Sequence, residues 1–188
     1  MLAYVFWHWP KPDVDAAEYE QLQRAFHGAL AQSAPSGFRA SRTFRVTGQA
    51  GWLGGTPAYA DWYLVDDSAA LDPLNVAAVS GVCEAPHTQV AHAMSAGAGS
   101  LLGLRADRGL AQSPNLATIR HASWLTKPRD MRYAEFYAAV PRLPGADQTT
   151  LWRRQMVLGP TPEFALLSSH ILPVPATYQP LTLTLNPI

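Results

Sequence analysis

The first apolar segment of the chain has no polar face. Residues 2–9 are rich in aromatic and β-branched types, which favours a strand that ends at the Pro-Lys-Pro of residues 10–12. Alternation along a strand divides its side chains into two sets, Tyr4, Phe6 and His8 on one face and Val5, Trp7 and Trp9 on the other. Because both sets are mainly aromatic or aliphatic, we expect both faces of this strand to be covered.

A helical pattern occupies the next segment, from Asp13 to Ser33. Its apolar positions recur every three or four residues, at Tyr19, Leu22, Phe26 and Leu30. Asp13 or Asp15 can cap the start of the helix, and Pro35 and Gly37 end it. The pattern predicts an amphipathic helix whose apolar stripe packs on a sheet.

The remainder of the first half completes a β-α-β-β-α-β order. Residues 37–46 and 58–67 alternate as the two strands of a hairpin around a Gly-rich turn. Residues 68–95 are typical of a helix broken near residues 81–86, and residues 100–107 favour a fourth strand. This order is that of the ferredoxin-like fold.

The second half begins in the same way but is shorter. Residues 116–125 predict a strand, residues 129–140 a helix, and residues 149–158 and 163–172 a hairpin around the turn Gly-Pro-Thr-Pro. The 16 residues that follow Leu172 include four prolines and leave no room for a second long helix. We expect residues 181–185 to form an edge strand, since prolines disfavour a central one.

A short pattern occurs in both halves. Trp7 precedes Lys11-Pro12 and Trp124 precedes Lys127-Pro128, and an Ala-Glu-aromatic triplet follows each pair, at residues 17–19 and 134–136. Two unrelated strand-to-helix junctions of similar composition would also produce this likeness. The order of the downstream hairpins favours an internal duplication, with residues 1–108 and 115–188 as the halves. We then expect two sheets packed face to face, with Trp7 and Trp124 in equivalent positions.

Composition excludes several classes of partner and site. Fourteen basic and fourteen acidic residues cancel, so no net charge would recruit nucleic acid. The single cysteine, Cys83, rules out an internal disulfide framework and a Cys-based zinc site. Residues 2–9 are too short for a signal sequence, and no run of 18 apolar residues predicts a membrane span. These features predict a cytoplasmic protein with no membrane partner.

The strand-to-helix segments resemble those of a known superfamily. "KPDVDAAEYEQLQRAFHGAL" followed by "PSGFRASRTFRV", and "KPRDMRYAEFYAAV" in the second half, are similar to the opening of dimeric α+β-barrel proteins, notably the EthD-like group. In that superfamily two ferredoxin-like sheets close a barrel, commonly between subunits, around an apolar cavity. The resemblance implies an α+β barrel closed within this chain, whose second half lacks its last helix, and it leaves a homodimer open. It also implies that His27 is a candidate site residue, because the group tends to carry a histidine late in the first helix.

Polar residues at matching strand positions are the candidates for a ligand site. If Tyr4, Phe6 and His8 face the inside of the barrel, the repeat places Ile119, His121 and Ser123 on the matching face. The hairpin strands then add polar groups, and the resulting ligand-binding candidates are His8, His27, Asp61, Tyr63, His121, Arg153 and His170. A register error of one residue would reverse every assignment.

Three functions are compatible with these patterns. The first is a barrel that binds a small apolar or aromatic molecule, and that could act on it as an enzyme without nucleotide or metal, because the chain shows no phosphate-binding or metal-ligand motif. The second is a haem protein, since tandem ferredoxin-like halves also resemble the chlorite dismutase group, with His121 or His170 as axial ligand. The third is a non-enzymatic interaction module whose aromatic strands are only core.

Overall fold

The computed structural model describes residues 1–53, 57–107, 109–155 and 162–188. Eight strands and four α-helices alternate along the chain in the order β1 α1 β2 β3 α2 α3 β4 β5 α4 β6 β7 β8. The strands are β1 Leu2–Pro10, β2 Phe38–Thr47, β3 Ala58–Val65, β4 Met94–Arg105, β5 His121–Leu125, β6 Thr150–Arg154, β7 Phe164–Ser168 and β8 Leu181–Pro187. The helices are α1 Ala16–Ser33, α2 Leu71–Ala78, α3 Glu84–Ala93 and α4 Tyr133–Ala139.

The eight strands form one closed barrel in the order β1-β3-β2-β8-β5-β7-β6-β4. Within it the first half contributes the sheet β4-β1-β3-β2 and the second half the sheet β8-β5-β7-β6. Both sheets have the ferredoxin-like strand order, and antiparallel pairs β2 with β8 and β4 with β6 join their edges. The prediction of two tandem ferredoxin-like halves in an α+β barrel is confirmed.

Two tryptophans mark the equivalent centres of the two sheets. Trp7 on β1 lies opposite Ala60 on β3, and Trp124 on β5 lies opposite Ala165 on β7. Their ring centroids are 5.8 Å apart. Both rings are therefore inside the barrel, where a small alanine on the neighbouring strand leaves room for each indole.

The barrel interior is filled by side chains from both halves. They include Ala3, Val5, Trp7, Phe44, Trp62, Leu102, Ala122, Trp124, Trp152, Leu167, Leu183 and Leu185. The expectation that Tyr4, Phe6 and His8 face this interior is wrong, because Tyr4 and Phe6 pack with the helices. Since both faces of β1 are aromatic, strand alternation could not decide which face lies inside.

Helices cover the outer face of each sheet. The Asp15 side chain caps α1 by accepting from the backbone amides of residues 17 and 18, and Phe26 and Leu30 are buried against the first sheet. The α2 and α3 helices extend this cover, whereas α4 and the short helical turns Val140–Arg142, Ala146–Gln148 and Ala176–Tyr178 cover the second sheet. No helix in the described part of the chain is long and apolar enough to cross a membrane.

The strand limits correct several expectations. Strand β8 lies between β2 and β5 rather than at an edge. Pro180 precedes it and Pro187 ends it, so neither proline interrupts the ladder. Strand β4 begins at Met94 rather than at residue 100. Most of the predicted Gly-Pro-Thr-Pro turn, residues 159–161, lies outside the described residues.

Candidate functional site

A cavity of about 500 Å³ lies between the first sheet and its helices. Strands β1 and β3 form its floor, and the three helices of the first half form its walls. Its lining is mainly apolar and aromatic, and consists of Tyr4, Phe6, Phe26, Asp61, Tyr63, Leu71, Asp72, Leu74, Asn75, Ala78, Val79, His87, Val90, Ala91 and Met94. A cavity of this size and character is typical of small-molecule sites.

Glycines on β4 make room for the aromatic floor. Gly97 and Gly99 lie beside the rings of Phe6 and Tyr4, with no side chain between. A Cβ atom added at Gly97 would lie 2.2 Å from the Phe6 ring, and one at Gly99 would lie 2.7 Å from the Tyr4 hydroxyl. The two rings therefore occupy space that a side chain at either glycine position would fill.

Asp61 on β3 is the polar centre of the floor. Asp61 is only 2% exposed to solvent, yet it contributes to the cavity lining. The Tyr63 hydroxyl donates to Oδ2 at 2.8 Å, and the His8 Nε2 lies 3.1 Å from Oδ1. A buried carboxylate needs such partners, because removing a charge from water costs several kcal/mol unless hydrogen bonds replace the lost hydration.

His8 lies behind Asp61, away from the cavity. It is fully buried, with its ring stacked on Phe6 and on Tyr59 at centroid distances of 5.5 and 5.6 Å. Its Nδ1 lies 2.6 Å from the Tyr19 hydroxyl. The Nε2 hydrogen is donated to Asp61, and Nδ1 accepts from or donates to the Tyr19 hydroxyl according to the protonation of the ring. We therefore assign His8 the part of a positioning residue for the carboxylate.

His27 approaches the same carboxylate from helix α1. Its Nε2 lies 3.5 Å from Asp61 Oδ2, which is an electrostatic contact rather than a hydrogen bond. Its ring stacks on Tyr63 with centroids 5.2 Å apart, and its Nδ1 lies 2.7 Å from the Ser41 hydroxyl. His27 thus connects the buried carboxylate to a half-buried residue of β2.

The surroundings hold Asp61 ionised. Burial by itself raises the pKa of the Asp61 carboxyl, but the neighbouring His8 and His27 imidazoles outweigh it and hold the pKa well below its usual range. Burial, followed by the Asp61 charge, raises the pKa of Tyr63 well above its usual range, so its hydroxyl stays protonated and donates. The arrangement can therefore present a fixed negative charge to the cavity. A carboxylate of such low pKa is a weak base, so it is better suited to bind than to abstract a proton.

The seven candidate residues fall into two groups. Four of them come together in the first half, although on the helix side of the sheet rather than inside the barrel: His8, His27, Asp61 and Tyr63. Arg153 is exposed on β6, with its guanidinium 5.2 Å from the Tyr133 ring centroid. His121 begins β5, and its equivalent position in the first half is that of Tyr4. His170 lies beyond β7, next to Gly145. These three lie outside the cavity.

Sequence reasoning did not include His87 among the candidate residues. It lies on α3 in the cavity lining, and its ring is 5.6 Å from Phe26. The spacing from Phe26 could not be read from the sequence, because it depends on how α3 packs against α1. Val90, three residues further on, is buried on the same helix face, and this spacing is the signal that could have placed His87 inward.

The haem alternative names two histidines of the second half as axial ligands. These histidines, His121 and His170, do not line the cavity. Burial, followed by the charge of His170, lowers the pKa of His121. Among the described residues, no group of three or more histidines, cysteines or acidic residues could hold a metal ion.

Comparison with known proteins is confined to distant structural likeness. No protein-family model matches the chain, and no curated protein matches it. A putative chlorite dismutase is 12% identical with a TM-score of 0.48, over 100% of this chain and 95% of that one. A protein from Arabidopsis thaliana is 10% identical with a TM-score of 0.43, over 54% of this chain and 92% of that one. A dimeric protein of unknown function and ferredoxin-like fold from Bacteroides fragilis is 18% identical with a TM-score of 0.36, over 53% and 92%.

Proposed function

We propose that this protein binds a small, mostly apolar or aromatic molecule between the first sheet and its helices. The observation that carries the proposal is the cavity of about 500 Å³, whose apolar wall is interrupted at its floor by the buried Asp61 and Tyr63. An apolar wall supplies affinity through the burial of ligand surface, and a few fixed polar groups supply orientation.

Two structural features support binding rather than a purely structural role for this region. The pocket leaves mainly apolar side chains uncovered, and apolar surface left in contact with water forgoes the stability that its burial would give. Asp61 also carries a desolvation cost that an aliphatic residue would not have. Both costs are explained if a ligand fills the volume and contacts the carboxylate.

The resemblance to the EthD-like group belongs to this proposal. It is supported by the contacts of His27, the histidine late in the first helix, with Asp61 and Tyr63. The lowered pKa of Asp61 favours binding over base catalysis, so we propose no reaction.

Thermal unfolding in the presence of a library of small aromatic and quinone-like compounds tests the proposal. A ligand at roughly 100 times its Kd should stabilise the fold by about 2.7 kcal/mol. The variant Ala78→Phe places a ring at a half-buried position that lines the cavity, and it should remove the stabilisation. The matched control is Ala139→Phe, at a half-buried position on α4 in the second half.

The result that contradicts the proposal is equally specific. If no compound raises the unfolding temperature, or if Ala139→Phe removes the effect as fully as Ala78→Phe does, the cavity is not the binding site. The interaction-module alternative would then remain.

A further inference from the structure

We infer that the ligand is a small organic cation, with an aromatic or apolar body that carries one ammonium group. The inference rests on the proposed function and names the class of ligand for the same cavity. Three features of the lining carry it: its charged groups, its aromatic rings, and the unused acceptor capacity of its buried carboxylate.

The fixed charges of the lining have one sign. Asp61 lies at the floor, and Asp72 is exposed on α2 at the opposite wall. Among the described residues no basic side chain pairs with Asp72, and the lining contains no lysine or arginine. An anionic ligand would meet two carboxylates and no lysine or arginine in the lining, whereas a cation would meet opposite charge at both walls. The imidazoles of His8 and His27 contact Asp61 from outside the lining.

Asp61 retains the capacity to accept a further hydrogen bond. An ionised carboxylate offers about four acceptor positions. The Tyr63 hydroxyl and His8 Nε2 use two of them, and His27 Nε2 faces a third at 3.5 Å. An ammonium group in the cavity can donate to a remaining position, and a hydrogen bond between two charged groups is about twice as strong as one between neutral groups.

The aromatic part of the lining also favours a cation. Tyr4, Phe6, Phe26 and Tyr63 surround the volume next to Asp61. Tyr4 lies 6.3 Å from Phe6 and 6.0 Å from Tyr63, measured between ring centroids. A cation held within reach of such rings is attracted by their quadrupoles, and a neutral or anionic group of the same size is not.

Three ligands of one skeleton test the inference: 2-phenylethylamine, 2-phenylethanol and phenylacetate. Binding to the full chain is measured by calorimetry at pH 8, above the ordinary titration range of histidine. We expect the amine to bind at least ten times more tightly than the alcohol, and the anion to bind more weakly than either. Asp61→Asn should reduce the affinity for the amine to that for the alcohol and leave the alcohol unchanged. Asp72→Asn should weaken amine binding about threefold, whereas the exposed Asp130→Asn in the second half should have no effect.

The outcomes distinguish failure of the cation inference from failure of the proposed binding function. If the alcohol or the anion binds as tightly as the amine, the cation inference is overturned while the proposed binding function stands. If none of the three binds although other library compounds stabilise the protein, the inference is likewise overturned. If no compound of any class binds, the proposed function itself fails. Should Asp61→Asn not fold, the amine-to-alcohol ratio in the unaltered chain and the Asp72→Asn result decide the question.

Discussion

The helix-facing sides of the two sheets differ in chemistry although the strands beneath them have the same order. In the first half, His8 and Asp61 lie in the layer between sheet and helices, beside an open cavity. When the two halves are aligned on Trp7 and Trp124, Leu125 takes the position of His8 and Leu166 takes that of Asp61. Both leucines are fully buried. They pack with Phe136, whose ring centroid is 4.4 Å from that of Phe164.

This difference separates what the fold requires from what a site adds. The described residues of the second half show that the layer can be closed without a buried charge, under one short helix and several turns. The first half uses more helix and a longer sheet, and still leaves about 500 Å³ open. Neither the buried charge nor the open volume is therefore a consequence of the barrel.

The largest effect should come from introducing a carboxylate at the position in the second half that is equivalent to Asp61. Leu166→Asp places a carboxylate in the apolar layer without the partners that Asp61 has, and an unpaired buried charge costs about 3 to 5 kcal/mol. Such burial raises the pKa of the new carboxyl, so the loss should shrink as the pH falls. Urea unfolding at pH 7 and pH 5 measures both effects. A cost below about 1 kcal/mol would show that this layer is open to water.

Removing the charge from the first half should have the second largest effect. Asp61→Asn keeps the shape but loses the charge, which we expect to cost about 2 kcal/mol at pH 7, as for a hydrogen bond to a charged group. Because the folded-state pKa of Asp61 is lowered, its contribution is present above the ordinary carboxyl pKa and is lost as the pH falls. The variant should therefore lose less stability than the unaltered chain as the pH falls from about 4 to about 2, measured by urea unfolding.

Relative to the unaltered chain, both losses should shrink as the pH falls, that of Leu166→Asp above the ordinary carboxyl pKa and that of Asp61→Asn below it, so each variant is a control for the other. An Asp61→Asn chain whose stability falls as steeply in acid as that of the unaltered chain would mean that other carboxyls dominate. The contrast between the two layers would then be one of packing alone.

Most of the fold could be predicted from the sequence because the signals were local. The cap at Asp15, the break near Gly81 and the repeated Trp-Lys-Pro pattern each report on a few neighbouring residues. The side of β1 that faces the barrel could not be predicted, since both of its faces are aromatic. The central place of β8 was also missed, because a pairing between the chain end and β2 leaves no mark on either sequence segment.

Four of the seven candidate residues lie together, although on the other side of the sheet from the one that the sequence indicated. His8, Asp61 and Tyr63 were grouped correctly, because adjacent antiparallel strands align residues of one face. His27 was singled out only by resemblance. The cavity itself depends on the distance between helices and sheet, and on Gly97 and Gly99, whose lack of side chains has meaning only once Phe6 and Tyr4 are placed over them.

A third, smaller effect tests the role of the two glycines, Gly97 and Gly99, that lie beside the aromatic rings of the cavity floor. Gly97→Ala should push the Phe6 ring toward the cavity, because the added Cβ would lie 2.2 Å from it. We expect a cost of about 1 kcal/mol, as for mild overpacking, together with a clear loss of ligand stabilisation in the thermal assay. Gly28→Ala on α1 is the control, since its Cβ meets no atom within 4 Å and alanine favours a helix. Unchanged ligand binding in Gly97→Ala would place the ligand away from Phe6.

The smallest effect concerns the polar residue left on the second half. Burial and then His170 lower the pKa of His121, so protonation of His121 is harder in the folded chain than in the unfolded one. A lowered folded-state pKa contributes stability that is present above the ordinary histidine pKa and is lost as the pH falls below it. His121→Gln should therefore flatten the decline in melting temperature between pH 7.5 and pH 5.5, whereas the exposed His92→Gln should not. Because much of the ring is open to water, the difference should be a degree or two at most. If His121→Gln also weakened ligand binding in the first half, the two layers would be coupled through the barrel, and the functional separation drawn between them would be wrong.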